Sequence, residues 1–490
     1  METINNSKLT NNLQENKKII YRLLSNNYLV TTRELILYGN LNCMIIYIDG
    51  LTDKESIEKY IISPLLYNID TKVPRESTPA RYLSKRYISI NSITIDSDVK
   101  VICEKLKRGQ TLVLLENDLD GIICDTYKYN FKQQANPKIE ENIKGNNSAF
   151  VESLKINVSM IQEKLINNHL KVEQYTLGKE NKSEAALMYV DNAIDKDVLS
   201  EIKKKLKEVK ADYIPDTGYL MKYILDNEFS IFPQYKTVEK PDKVVSDLIQ
   251  GKAVIFVNGC SYGVIIPVVF IEFFQAFEDY SNNIIIANFD RFLRVSAVII
   301  ILLISPIYLT LITYNIELIP QDLINIISKS RKDIPLPPFF EILIMEMIIE
   351  FLREGGLRLP SKVGQTLSIV GGIILGQAAI RSGLVSPTTL VVISISVICT
   401  FLIPIYEMSL SIRLCRFIML ILAQVFGLFG IMIGIYSLIG YLIGLENFGT
   451  PYLLPLAPMK YNELKDSFFR YPLNQINKAP RNLLKRRKKS

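Results

Sequence analysis

The apolar positions of the 490-residue chain follow two different patterns. Up to about residue 290, short apolar runs alternate with segments rich in Lys and Glu, which is typical of buried strands connected by amphipathic helices. Beyond residue 290, three uncharged stretches are long enough to span a bilayer: Val295–Ile316, Ser382–Tyr406 and Phe417–Leu445 contain 22, 25 and 29 residues. The pattern predicts an α/β soluble N-terminal half followed by an all-α polytopic transmembrane bundle.

The first half contains an internal repeat. MIIYIDGLTDKESI (44–57) is similar to LMYVDNAIDKDVL (187–199), and LKRGQTLVLLENDLDGII (106–123) is similar to LIQGKAVIFVNGCSYGVI (248–265), with aligned positions offset by 142 residues. Each copy predicts a buried strand, an Asp-containing turn, a helix that ends at Gly109 or Gly251, and a β-hairpin. For Asp49 and Asp191, which begin the two turns, the sequence favours a structural role over a ligand site.

These patterns predict five segments along the chain. They are a first α/β subdomain (1–131), a polar linker (132–149), a second α/β subdomain (150–290), a transmembrane helical domain (291–446) and a basic C-terminal tail (447–490). About four crossings are expected, at about 295–316, at about 338–354, once within 363–406 and at about 417–445. A re-entrant hairpin within 363–406 remains an open alternative.

Positive charge predicts the orientation of the predicted bundle. Arg291 and Arg294 precede the first crossing, and seven Lys or Arg residues occupy 478–489, so both ends are expected inside. Arg413 and Arg416 disagree with four crossings, because they would lie outside.

Composition separates the same two halves. Residues 1–290 carry 36 Lys+Arg and 39 Asp+Glu, a net charge of −3, whereas residues 291–490 carry 21 and 11, a net charge of +10. His169 is the single histidine, and the six cysteines have no metal-binding or redox spacing. The sequence therefore predicts no enzyme, no metal and no cofactor, with reduced, packed thiols. Nucleic-acid binding is disfavoured because no aromatic residues are interleaved with the basic run RNLLKRRKK (481–489) and no binding motif accompanies it.

The segment PPFFEILIMEMIIEFLREGG (337–356) carries acidic residues in an apolar setting. Ionisable residues at membrane depth are costly and usually face a water-filled path, although an amphipathic helix at the interface is an equal alternative. The predicted pore or gating residues are Glu341, Glu346, Glu350, Gln365 and Gln377. Small residues four apart predict close helix packing at Gly372, Gly376, Gly430, Gly434, Gly440 and Gly444.

The run from Pro338 to Ser396 resembles the core of the A-subunit family of GerA-type spore-germination nutrient receptors. FGTPYLLPLAPM (448–459) and LKDSFFRYP (464–472) resemble the C-terminal end of that family, and FVESLKINVSMI (150–161) and FEDYSNN (277–283) resemble its soluble region. The chain departs from the family at the linker, which has Asn136-Pro137 and Gly145-Asn146-Asn147, and at Arg381-Ser382.

The resemblance implies a multi-pass protein of the spore inner membrane, with its N-terminal domain and C-terminal tail on the core side. It implies two partners, a B-type transporter-like membrane subunit and a C-type lipoprotein subunit, and a homo-oligomer in the lipid bilayer. It further implies a nutrient-gated cation channel that triggers germination. The alternative is a structural or signal-transducing scaffold subunit that conducts no ions, with Glu346 and Glu350 paired to Arg353 or Arg358.

Overall fold

The structure is a computed structural model that describes most of the chain. The described residues are 8–24, 27–70, 78–128, 148–167, 169–276, 278–359, 372, 376–460, 466–467 and 469–472. The chain forms two compact units. The described residues of the α/β unit lie within Met1–Asp226 and Tyr235–Pro267, and those of the helical unit lie within Asn227–Gln234 and 268–472.

The α/β unit contains two five-stranded sheets with the same topology. The first has strands β1 (Val30–Leu37), β2 (Leu41–Ile48), β3 (Ile93–Asp96), β4 (Thr111–Leu115) and β5 (Gly121–Cys124). The second has β6 (Leu170–Leu177), β7 (Ser183–Val190), β8 (Lys236–Val238), β9 (Ala253–Val257) and β10 (Gly263–Ile266). The strand orders are β1-β2-β4-β5-β3 and β6-β7-β9-β10-β8, with every neighbouring pair antiparallel. The predicted repeat of two α/β units is confirmed.

Nine α-helices accompany these sheets in the described part of the unit. They are α1 (Leu13–Leu23), α2 (Lys54–Ile57), α3 (Ser63–Tyr67), α4 (Pro79–Arg86), α5 (Val99–Lys107), α6 (Leu154–Lys164), α7 (Lys196–Glu208), α8 (Thr217–Ile224) and α9 (Pro241–Ile249). One π-helical turn, Glu58–Ile62, connects α2 to α3. In the first subdomain, buried apolar side chains of α2–α4 pack against β2, β4 and β5 to form the core.

Matching hydrogen bonds extend the repeat beyond what the sequence revealed. In the first copy the buried Asn16 side chain donates to Thr10 O at 2.6 Å and accepts from Thr10 N at 2.8 Å. In the second copy Asn157 makes the same two contacts with Val151, at 2.6 and 2.8 Å. Each asparagine therefore ties its helix to the chain six residues earlier.

The two predicted helix-ending glycines have the left-handed backbone that their turns require. Gly109 has φ +80° and Gly251 has φ +95°. An added Cβ would lie 2.6 Å from the carbonyl oxygen of Leu51 or of Ala193, respectively. Both positions therefore exclude a side chain by conformation and by space.

Asp49 and Asp191 form repeated ion pairs at the turns after β2 and β7. Asp49 lies 2.9 Å from Lys54, and Asp191 lies 2.6 Å from Lys196. The pairs support the structural role expected for these aspartates. The first turn is covered by α6: Gly50 has φ +91°, and a Cβ there would lie 2.2 Å from Ser159 Oγ.

Asp247 on α9 forms a buried charge pair with two lysines. Its carboxylate lies 2.6 Å from Lys252 Nζ and 3.3 Å from Lys236 Nζ, and all three side chains are buried. Burial alone would raise the pKa of Asp247, but attraction to Lys236 and Lys252 and the Lys252 hydrogen bond outweigh it and hold the pKa well below its usual range.

We expect Asp247→Asn to lower the free energy of unfolding by about 2 kcal/mol at pH 7, because Asn keeps the shape but loses the charge. Since the folded pKa is depressed, the wild-type stabilisation is present above about pH 4 and is lost as the pH falls further. The wild-type and variant stabilities should therefore converge below pH 4. Thermal unfolding across a pH series measures this. Asp242→Asn removes a half-exposed pair with Lys164 from the same helix and should cost less than about 1 kcal/mol.

The helical unit begins with a 3₁₀ turn, Phe270–Phe274. Its described α-helices with complete bounds are α10 (Glu278–Ser281), α11 (Ile284–Thr313), α12 (Gln321–Arg331), α13 (Pro338–Arg358), α14 (Pro387–Thr400) and α15 (Tyr406–Gly444). A second 3₁₀ turn, Ile316–Leu318, precedes α12, and residues 376–381 are also helical. A short hairpin, β11 (Glu446–Asn447) and β12 (Thr450–Pro451), follows α15. By length and composition, α11 and α15 could cross a membrane.

The last of these long helices reverses direction. Within α15, Gly427 has φ +62° and ψ −142°, which is not helical. A Cβ on Gly430 would lie 2.0 Å from Leu422 O, and one on Gly434 would lie 2.3 Å from Met419 Sδ. Residues 15 apart in a straight helix are about 22 Å apart, so α15 is a helical hairpin. We call its arms the first arm (406–426) and the second arm (428–444). The stretch predicted as one crossing, 417–445, therefore contains the turn of this hairpin.

Tyr314, at the end of α11, supports the reversal. Its ring contacts Gly427 at the position of an added Cβ, 3.5 Å away, and its hydroxyl donates a hydrogen bond to the Gln424 carbonyl. The aromatic ring fills the space that a side chain at Gly427 would take. The closed end of the hairpin thus lies beside the C-terminal end of α11.

Candidate functional site

Five charged side chains lie together inside the helical unit, and we call them the charge cluster. They are Glu346, Glu350 and Arg353 on α13, and Arg413 and Arg416 on the first arm. The glutamates are one helical turn apart and Arg353 follows at i+7, so the three share one face of α13. Arg413 and Arg416, three residues apart, likewise share a face of the first arm.

Arg416 lies between the two carboxylates. Its Nε is 3.3 Å from Glu346 Oε2, and its Nη2 is 3.5 Å from Glu350 Oε1. The only hydrogen bond that its guanidinium donates to a described residue runs from Nη1 to Ser396 Oγ on α14, at 3.1 Å. Ser305 on α11 donates to Glu346 Oε1 at 3.0 Å. The side chains of Arg416 and Glu346 are almost fully buried.

Glu350 is the more accessible carboxylate of the cluster, with 23% of its side chain exposed. Arg413 donates a short hydrogen bond to Glu350 Oε2. Arg353 Nη1 lies 3.9 Å from Glu350 Oε1, and Arg353 Nη2 donates to Thr400 Oγ1 at 3.1 Å. Glu350 therefore sits among three guanidinium groups.

The cluster is held more by charge than by aligned hydrogen bonds. Three arginines against two glutamates leave a formal charge of +1. Five buried side-chain atoms in the cluster have no hydrogen-bond partner among the described residues: Glu346 Oε2, Glu350 Oε1, Arg413 Nε, Arg416 Nε and Arg416 Nη2. Such atoms are costly, and they lower the cost of moving to another arrangement in which they are paired.

Glu341 belongs to a separate buried pair. Arg331 of α12 lies 2.5 Å from Glu341 Oε2, and the backbone N of Ser386 donates to Glu341 Oε1 at 2.6 Å. Ser386 is the N-cap of α14, where unpaired backbone N–H groups favour a negative charge. Glu341 thus fastens α12 and α13 to the start of α14.

The structure distributes the remaining predicted site residues unevenly. Gln377 is exposed, and Gln365 lies outside the described residues. An added Cβ would meet nothing within 4 Å at Gly372, Gly440 or Gly444, and only Leu390 at 3.8 Å from Gly376. Of the six glycines, Gly430 and Gly434 lie at the close approach of the hairpin arms.

A second charged group joins α10 and α11 to the C-terminal motif LKDSFFRYP. Asp279 pairs with Arg291 at 3.0 Å and with Arg294 at 2.7 Å. Arg291 also lies 3.0 Å from Asp466, and Arg470 donates to the carbonyl oxygens of residues 279, 280 and 282. Arg291 and Arg294, whose positive charge predicts the orientation of the helical half, are therefore ion-paired.

The residues that complete the charge cluster were missed by the sequence reasoning. In the sequence, Arg413 and Arg416 serve only as signals of orientation, although they are two of five charges between residues 363 and 459. Arg358, expected as a possible partner, instead pairs with the exposed Glu354 at 2.7 Å. One signal in the sequence could have identified them. Few other basic residues lie between residues 363 and 459, so Arg413 and Arg416 are the natural partners for buried glutamates.

Within the described residues, no group of three His, Cys, Asp or Glu side chains could hold a metal ion. The six cysteines are free and buried, in accord with the predicted packed thiols. His169 is exposed, and its backbone oxygen accepts from Asp191 N. The charge cluster is therefore the strongest candidate site.

Comparison with known proteins identifies the family. Residues 8–482 match the family described as Bacillus/Clostridium GerA spore germination protein. The chain belongs to this family. It is 32% identical to spore germination protein GerLA of Bacillus cereus over 96% of each chain. It is also 32% identical to spore germination protein KA of Bacillus subtilis (strain 168), over 97% of this chain and 87% of that one.

A solved structure covers part of the GerA-family chain. The crystal structure of the N-terminal domain of the A subunit of the Bacillus megaterium spore germinant receptor GerK3 is 26% identical. It covers 54% of this chain and 98% of its own, with a TM-score of 0.43. The family match over residues 8–482 confirms the GerA resemblance of the sequence, and the two relatives above are named as spore germination proteins. Family and apolar helices together indicate a membrane protein.

Proposed function

We propose that this chain is the A subunit of a spore germinant receptor and that copies of it form a nutrient-gated cation path. The charge cluster carries the proposal, because ionisable groups inside an apolar helical region usually mark a functional path. Glu350 is the candidate lining residue, since it alone among the three predicted glutamates keeps an exposed fraction. Glu341 and Glu346 hold helices together.

The same proposal extends to setting and partners. The receptor would lie in the spore inner membrane, with the α/β half and the C-terminal tail on the core side. Its partners would be a B-type transporter-like subunit and a C-type lipoprotein subunit. The family membership supports this arrangement, as do relatives named as germinant-receptor and germination proteins. The B subunit would carry nutrient recognition.

We expect Glu350→Gln to slow nutrient-triggered cation release from spores by about tenfold, because losing this carboxylate leaves Arg353, Arg413 and Arg416 less compensated, and the added positive potential repels cations. Glu350→Asp keeps the charge and should retain release. Glu354→Gln removes a carboxylate from the same helix, where Glu354 and its partner Arg358 are both exposed, and cation release should match that of wild type. Immunoblots of spore membranes check that all variants accumulate. Normal release from an abundant Glu350→Gln receptor would reject a lining role.

The second candidate function is a scaffold that joins the other subunits without conducting ions. The burial of Glu346 against Arg416 favours it, because a neutralised carboxylate does not attract cations. Purified protein in liposomes separates the two functions. Cation flux from this chain alone, or only when this chain joins its partners, supports conduction. Flux through the partners without this chain, together with none through this chain, supports the scaffold.

A further inference from the structure

Residues Asn227–Gln234, the insertion loop, belong to the helical unit although the chain on both sides belongs to the α/β unit. The loop leaves after α8 and returns just before β8. Eight residues thus connect the two units a second time, in addition to the chain junction after Pro267.

The insertion loop bridges both arms of the α15 hairpin. Ser411 Oγ on the first arm donates to Ile231 O at 2.6 Å. Tyr441 Oη on the second arm lies 3.2 Å from Ser230 Oγ and accepts from Ile231 N at 3.4 Å. Ser411 and Tyr441 both lie far from Gly427 along the chain. The loop therefore closes the open end of the hairpin.

Further contacts fix the loop to the segment after the hairpin. Asn447 Nδ2 donates to Gln234 O at 2.5 Å, and Tyr452 Oη donates to Pro233 O at 2.7 Å. The Phe232 side chain is buried, with its ring 6.1 Å from Phe270 and 6.2 Å from Tyr441. Together with the bond from Ser411, three loop carbonyls accept hydrogen bonds, those of Ile231, Pro233 and Gln234. The contacts therefore depend on the path of the loop backbone.

The contact at Ser411 leads directly to the charge cluster. Ser411 lies two residues before Arg413 and five before Arg416 on the same arm. Its hydroxyl also lies 3.0 Å from Glu407 O within its own helix, so it has a second acceptor if the loop moves away. A hydroxyl with two acceptors can exchange one for the other without leaving a buried donor unpaired.

We propose that the insertion loop transmits movement of the α/β half to the first arm and so repositions Arg413 and Arg416 against Glu346 and Glu350. The loop pulls or releases the open end, while the hairpin pivots at Gly427. This inference rests on the proposed receptor function, and it holds whether the chain conducts ions or signals to a partner that does.

The decisive variant lengthens both tethers of the loop while leaving its contacts intact. Two glycines are inserted between Asp226 and Asn227, and two between Gln234 and Tyr235. We expect nutrient-triggered ion release from spores to slow about tenfold, within the range typical of coupling between sites, with normal receptor abundance. The same four glycines inserted between Lys179 and Glu180, in the exposed turn after β6, should leave release unchanged.

Side-chain variants test the contacts themselves. Phe232→Ala and Ser411→Ala should also slow release, whereas Phe229→Ala should not, because Phe229 is 91% exposed on the same loop. Normal release from the lengthened-tether variant would overturn the proposal, even if Phe232→Ala unfolds the protein. Absence of flux in liposomes combined with loop-dependent release in spores would reject conduction by this chain but keep the coupling.

Discussion

Replacing Arg416 by Ala is expected to lower the free energy of unfolding of the helical half by about 3–5 kcal/mol, because removing one partner leaves buried charge uncompensated. Glu346 would keep only the Ser305 hydroxyl, and Glu350 would lose one of three guanidinium groups. The side chains of Arg416 and Glu346 are 1% and 0% exposed, so water does not replace the lost partner. The measurement is the thermal unfolding midpoint of purified protein in detergent.

A matched control exists on α13, the helix that carries Glu346 and Glu350. Arg358→Ala breaks an ion pair with Glu354 whose side chains are 78% and 62% exposed, and such pairs contribute less than about 1 kcal/mol. The double variant Arg416→Met with Glu346→Gln removes both charges and should recover much of the loss. Equal midpoints for Arg416→Ala and Arg358→Ala would show that the cluster contributes no stability.

The second large effect is expected at the crossing of the hairpin arms. A Cβ on Gly430 would lie 2.0 Å from Leu422 O, a backbone atom that cannot move without opening the hairpin. We expect Gly430→Ala to cost about 3 kcal/mol, at the upper end of overpacking effects. Gly434→Ala should cost less, since its Cβ would meet the flexible side chain of Met419.

Gly440→Ala is the control for this substitution. Gly440 begins the other GxxxG motif of α15, and a Cβ there would meet nothing within 4 Å. Alanine in an open helical position is favoured over glycine by up to about 1 kcal/mol, so the midpoint should stay or rise. From highest to lowest, the expected order of thermal unfolding midpoints is Gly440→Ala, Gly434→Ala and Gly430→Ala. A Gly430→Ala midpoint as high as wild type would mean that the arms do not cross there.

The repeat was predictable because its chemistry is local. A buried strand, a turn aspartate, a following lysine and a helix-ending glycine recur at one spacing, and each has its own physical reason. Asn16 and Asn157 escaped notice because their partners are backbone atoms, which no sequence pattern marks. The sheet order followed only once the strands were placed in space.

The helical half was less predictable because its decisive contacts are distant in sequence. Twenty-nine uncharged residues from Phe417 read as one helix, since a glycine with φ +62° looks like any other glycine in the sequence. The reversal at Gly427 brings the ends of the two arms to one side. Arg413 and Arg416 then lie in the half of the first arm that is farther from Gly427, toward the same end of the hairpin as Gly444.

The turn at Gly50 shows a difference between the two copies of the α/β repeat. α6 of the second copy packs on this turn, where only a glycine fits beneath Ser159. The corresponding turn of the second copy carries Asn192, and the helix position that corresponds to Ser159 carries Lys18. The two copies are therefore no longer interchangeable parts. A side chain at position 50 would therefore disturb the contact by which α6 of the second copy packs on the first copy.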